Sequence, residues 1–163
     1  MFDPLNVPQR YLPKQLSKKD RKTQKANLRK SRKLYKKGTF FERPKIASFK
    51  SKKSSHLNRA RSMYNVEKID STEELSKKTH CSREALEKII NKGRGAYYSS
   101  GSRPNQTAES WGIARLASSI TGGNASAVDY HILVEGCSPN SKPLQLARKT
   151  RKRLMSNHQN VPN

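Results

Sequence analysis

The sequence predicts a mainly α fold with a small β element (α+β): a helix-turn-helix-like hairpin, a core helix and one or two strands, with extended basic arms. Three observations carry that expectation. Helix-capping residues and helix-stopping glycines bracket stretches near 17–38, 71–93 and 108–123. Apolar and polar residues alternate from Val128 to Val134, as in a half-buried strand. The charge is uneven. Of 163 residues, 35 are Lys or Arg and 12 Asp or Glu, a net charge of +23. Residues 1–60 hold 19 bases and 3 acids, 61–140 hold 10 and 9, and 141–163 hold 6 and none. The expected organisation is therefore a basic arm (1–60), a near-neutral folded domain (61–140) and a basic C-terminal tail (141–163). The arms carry too few apolar side chains to offset their ordering entropy alone.

Residues 1–16 read as an extended strap, because Pro4, Pro8 and Pro13 disfavour helix. Phe2, Leu5, Tyr11, Leu12 and Leu16 are its candidate contacts to a protein partner. Residues 17–37 read as a helix, capped by Ser17 with Asp20 three residues on and Gly38 beyond the last turn. Lys18, Lys19, Arg21, Lys22, Lys25, Arg29, Lys30, Arg32, Lys33, Lys36 and Lys37 cover most of its faces, so it is not expected in a core. These cations are the main candidates for binding nucleic acid or an acidic partner, since neutralised phosphates release counterions whatever the base sequence. Residues 39–53 interleave Phe40, Phe41, Ile46 and Phe49 with bases, a pattern that suits stacking or a hydrophobic tether. A short helix is expected over 55–64.

In the centre, Ser71-Thr-Glu-Glu74 reads as a capping box opening a helix to about Lys78. Ser82 then caps a second helix from Arg83 to about Lys92, stopped by Gly93. Two short helices on a tight link fit a helix-turn-helix, in which Arg83 and Lys88 of the second helix would face DNA. Glu84 and Glu87 on the same helix repel phosphate, so a purely structural hairpin fits as well. The segment Gly93–Thr107 reads as a Gly/Ser-rich loop in which Arg94 and Arg103 offer charge to an anion. It lacks the ending of a P-loop and the spacing of a dinucleotide fingerprint. A helix over about 108–121 has a core stripe of Ile113, Leu116, Ala117 and Ile120.

No run of apolar residues is long enough to span a membrane. Cys81 and Cys137 are the only cysteines and are expected as two reduced, buried thiols. No Cys/His cluster has zinc spacing, and no set of side chains marks a catalytic centre. The expectation is a non-enzymatic protein with no cofactor, no metal and no small-molecule substrate.

The stretch from Tyr11 to about Gly136 resembles an uncharacterised basic domain family encoded by large nucleocytoplasmic DNA viruses of algae and amoebae, chlorella-type viruses above all. Tyr-Leu-Pro-Lys-Gln-Leu-Ser-Lys-Lys-Asp (11–20), Ser-Arg-Lys-Leu-Tyr-Lys-Lys-Gly (31–38) and Gly-Ala-Tyr-Tyr-Ser-Ser-Gly-Ser-Arg-Pro-Asn-Gln-Thr-Ala (95–108) carry the likeness. Ser110-Trp-Gly, Ala114-Arg-Leu-Ala-Ser, Thr121-Gly-Gly and Val128-Asp-Tyr-His complete it. The resemblance implies a virus-encoded protein packaged under the capsid or with the genome, and supplies no activity. The expected function is a virion structural protein on the inner capsid side, made in the host cytoplasm, that straps neighbouring capsid proteins, contacts double-stranded DNA, or both. The other reading is a DNA-binding regulator or packaging factor that uses the 71–92 hairpin and the arms.

Overall fold

The computed structural model describes residues 5–52 and 54–159. Among them are a 3₁₀ turn (Gln9–Tyr11) and eight α-helices: α1 (Lys18–Lys36), α2 (Ser55–Tyr64), α3 (Glu73–Thr79), α4 (Arg83–Ser99), α5 (Ala108–Ile120), α6 (Asn124–Val128), α7 (Tyr130–Gly136) and α8 (Lys142–Gln159). There is no strand among the described residues, only an isolated antiparallel bridge between Cys81 and Cys137. The expected β element is thus corrected: the fold is helical.

The strand expectation failed on periodicity. Residues 124–136 form α6 and α7, and the residues they bury there are Ser126, Asp129, Ile132 and Leu133, at helical spacing. Val128 and Val134, which set the alternation, are 63% and 49% exposed. Asp129 fixes the junction between the two helices. Its buried carboxylate accepts two bonds from Arg115 (2.7 and 3.0 Å) and one from Ser119 (2.9 Å).

The chain divides into two compact units: Met1–Lys53 with Arg94–Trp111, and Ser54–Gly93 with Gly112–Asn163. The first unit therefore pairs most of the basic arm with the segment around the Gly/Ser-rich motif. Its apolar cluster is Tyr11, Leu12 and Leu28, with Leu5, Val7 and Trp111 packed against it. Tyr11 and Trp111 meet edge to face at 5.9 Å.

The second unit holds the larger core, which includes Leu75, Leu86, Ile89, Ile90, Leu116, Ile120, Leu133 and Leu144. Residues 142–159 are not a solvated tail. They form α8, which buries Leu144, Ala147 and Thr150, and Thr150 Oγ1 donates to Gly122 O at 2.6 Å. Tyr64 also closes this core, donating its hydroxyl to Ile120 O; burial pushes its phenol pKa up.

Cys81 and Cys137 are joined in a disulfide, not reduced. The bridge explains why they meet. Ser82 N donates to Gly136 O and Ser138 N to His80 O, which holds the two backbones side by side with the cysteines between.

Candidate nucleic-acid interface

α1 is set by its ends. Ser17 Oγ accepts from Asp20 N at 3.1 Å, as its N-cap. Asp20 in turn accepts from Ser48 N at 3.0 Å, and Ser48 Oγ accepts from Ser17 N. These bonds from Ser48 hold the Asp20 carboxyl below its ordinary pKa. The sole acid of α1 is therefore engaged at its start. At the other end Gly38, at φ +80°, makes a Schellman turn: Gly38 N donates to Tyr35 O and Thr39 N to Leu34 O.

Contrary to the expectation for so polar a helix, α1 buries one face: Gln24, Leu28 and Ser31. Two of the three are polar, and each has a partner. Gln24 donates to Tyr11 O and Ser31 Oγ to Tyr98 O. The hydrophobic pattern missed this face because hydrogen bonds, not apolar side chains, make most of it.

The ten cations of α1 and Lys37, its C-cap, separate into four groups. Arg21 and Arg32 are bound to their own chain: Arg21 donates to Leu12 O, and Arg32 to Ser100 O and Asn6 O. Lys30 lies over the Phe41 ring at 4.4 Å. Lys18, Lys22, Lys25, Arg29, Lys33 and Lys36, spaced four, three, four, four and three apart, fall on one stripe. Five are exposed and Lys25 is half-buried. None has an acidic partner among the described residues. At 1.5 Å per residue the stripe is about 27 Å long. Lys19 and Lys37 are exposed beside it.

The Gly/Ser-rich motif is not a loop throughout, as its composition suggested. Its first half is the end of α4, which runs through Gly93 and Gly95 instead of stopping. The rest grips the arm. Asn105 Oδ1 accepts from Ile46 N at 2.6 Å, and its Nδ2 donates to Ile46 O and Phe49 O. Gly101, at φ +126°, passes so close to Leu28 that an added Cβ would lie 2.8 Å from Leu28 Cδ2. Thr107 and Ser110 exchange side-chain-to-backbone bonds at the start of α5.

Arg43, which the sequence did not single out, is the hub of this unit. It is 8% exposed and has no carboxylate partner among the described residues. Its guanidinium donates to Ser31 Oγ, Tyr97 O and Ser102 Oγ, each at 2.8 Å, and stands 3.8 Å over the Tyr97 ring. Burial pushes its pKa down. Arg94 pairs with Glu109 at 2.7 Å, while Arg103 is exposed.

The strap residues are not displayed to a partner. Tyr11, Leu12 and Leu16 are buried in their own unit, and Leu5 is half-buried. Phe2 lies outside the described residues. The 71–92 hairpin forms as two helices, with the N-cap at Thr72 rather than Ser71. Ser71 instead donates to Glu87 and accepts from Arg83 Nε at 3.1 Å. Lys88 lines a shallow hollow together with Glu84 of α4 and Glu135 of α7, so acids share the surface that this lysine faces.

No helix among the described residues is long and apolar enough to cross a membrane. The model of a family of unknown function, DUF5824, matches residues 8–132. The chain belongs to this family. The match takes in the whole of α1, the hairpin and the 95–108 motif, and ends within α7. No curated protein and no solved structure was found to match the chain.

Proposed function

We propose that this DUF5824 member is a non-enzymatic nucleic-acid-binding protein that grips the phosphate backbone through α1. The observation that carries this reading is the stripe Lys18–Lys22–Lys25–Arg29–Lys33–Lys36. It is a row of cations with no acidic partner among the described residues, on a helix whose buried face is anchored by hydrogen bonds. A duplex carries one phosphate charge per about 1.7 Å of axis, so a row of about 27 Å can neutralise several at once. Contacts of this kind position a protein on a strand and carry no sequence information.

The resemblance to basic proteins of large DNA viruses supports a place in the virion, on the inner capsid side, in contact with the double-stranded genome. Burial of Tyr11, Leu12 and Leu16 supports the genome-facing role over a strap laid on capsid proteins. Glu84 and Glu135 beside Lys88 disfavour the hairpin as a reader of DNA.

The test is binding of the full chain to several unrelated duplexes of equal length. The expected result is similar affinity for all, with a loss of at least about 100-fold on reversing three stripe charges (Lys22→Glu, Arg29→Glu, Lys33→Glu). The pair Arg83→Ala and Lys88→Ala should bind like wild type. A sequence preference that disappears in that pair would favour the regulator reading instead.

A further inference from the structure

The C-terminal end of α1 carries a second surface of different chemistry. The Schellman turn at Gly38 reverses the chain and brings Phe40 back toward Tyr35 of the last helical turn. The ring centroids of Phe40 and Tyr35 are 6.1 Å apart. Tyr98, on α4, completes the group: its ring lies 5.1 Å from Phe40, and 6.2 Å from Tyr35 with their planes within 10°. Phe40 is 67% exposed and Tyr35 36%. Phe40 is the most exposed large apolar side chain among the described residues.

A cluster of rings that serves only as core would be covered. This one is set among cations: Lys33, Lys36 and Lys37 are exposed on the same turns of chain, and Lys33 and Lys36 end the phosphate-binding stripe. Beneath it, Tyr98 meets Tyr97 edge to face at 5.1 Å, and Tyr97 carries the Arg43 guanidinium on its ring. The rings thus rest on the most heavily hydrogen-bonded point of the unit. Exposed rings on a firm base, flanked by positive charge, match what an unpaired base requires: a π-face to stack on and cations for its phosphate. A paired duplex keeps its base faces inside its own stack. It would leave the rings unused.

We infer that Tyr35, Phe40 and Tyr98 form a stacking platform for unpaired bases of a nucleic-acid strand whose phosphates follow the α1 stripe. This rests on the backbone-binding reading above and adds to it a preference for single-stranded segments over duplex.

The experiment compares the full chain on three 20-mers of equal charge: oligo-dT, oligo-rU and an abasic strand with the same phosphates and no bases. The expected result is binding of one or both base-carrying strands about tenfold more tightly than the abasic strand. The DNA and RNA arms show which sugar is favoured, and an excess over the abasic strand in either supports the platform. Phe40→Ala should remove the excess while leaving the salt dependence unchanged, and Phe40→Tyr, which keeps the ring, should restore it. Equal affinity for all three strands, or an excess that survives in Phe40→Ala, would overturn the platform and leave the backbone reading standing. A 20-base-pair duplex bound more tightly than every base-carrying single strand would overturn the platform and leave the backbone reading standing, and failure of the duplex and of all three strands to bind would overturn both.

Discussion

Among the described residues, the Ser54–Gly93/Gly112–Asn163 unit buries a cluster of 18 hydrophobic residues, whereas the cluster of the Met1–Lys53/Arg94–Trp111 unit has three. The charges run the other way. The first unit carries 20 Lys/Arg against 4 Asp/Glu, and the second 15 against 8. Apolar burial suffices for the second. In the first, side-chain hydrogen bonds substitute for it: Arg43 ties α1 to the end of α4, Asn105 holds the 46–49 backbone, and Gln24 and Ser31 satisfy neighbouring carbonyls. Such bonds hold a shape firmly and contribute only modestly to stability each. Under the proposed function, an anionic ligand would add stability that this small core does not supply.

The largest effect that separates the two units is expected from Leu86→Ala. Leu86 is fully buried, so the substitution should cost about 2–5 kcal/mol. Amide hydrogen exchange should rise most over 54–93. Arg43→Met should cost about 2 kcal/mol, because three charge-assisted bonds are lost while Ser31 and Ser102 keep their other partners. Its rise in exchange should fall over 94–111 and α1. Equal rises everywhere in both variants would show one cooperative structure and erase the distinction.

The smallest effect is a pH dependence at Asp20. Its carboxyl pKa is lowered in the fold, so its contribution is complete above the ordinary carboxylate pKa and is lost as pH falls through the lowered value. Titration of Asp20 by NMR should show a midpoint below the usual one, with the Ser48 amide moving in step. An ordinary midpoint would mean that the Ser17–Asp20–Ser48 link is not formed in solution.

What the sequence discloses follows the range of the interactions. The start and end of α1 are legible from Ser17, Asp20 and Gly38, which act on neighbouring residues. So are α2 and the stripe of α5. The two short helices after Gly123 were obscured because Val128 and Val134 mimic a strand period, while the buried Asp129, which decides the matter, is polar. Gly93 looks like a stop and Gly95 like part of a loop, yet the helix passes through both. The least legible features are those closed over long sequence distances. Asn105 meets Ile46, Arg43 meets Ser102, and Cys81 meets Cys137, none at a spacing that a local pattern encodes. The candidate cations were visible as a set. Arg21 and Arg32 dropped out of it, because their acceptors are backbone carbonyls that no pattern in the sequence marks.

The most direct test of the α1 stripe is the salt dependence of duplex binding by the full chain. Six cations on the stripe predict a slope of log K against log salt of about −5, falling by about 2 in the variant Lys22→Ala, Arg29→Ala. A slope that this variant leaves unchanged would contradict the account, because the charges on the DNA would then be met elsewhere on the molecule.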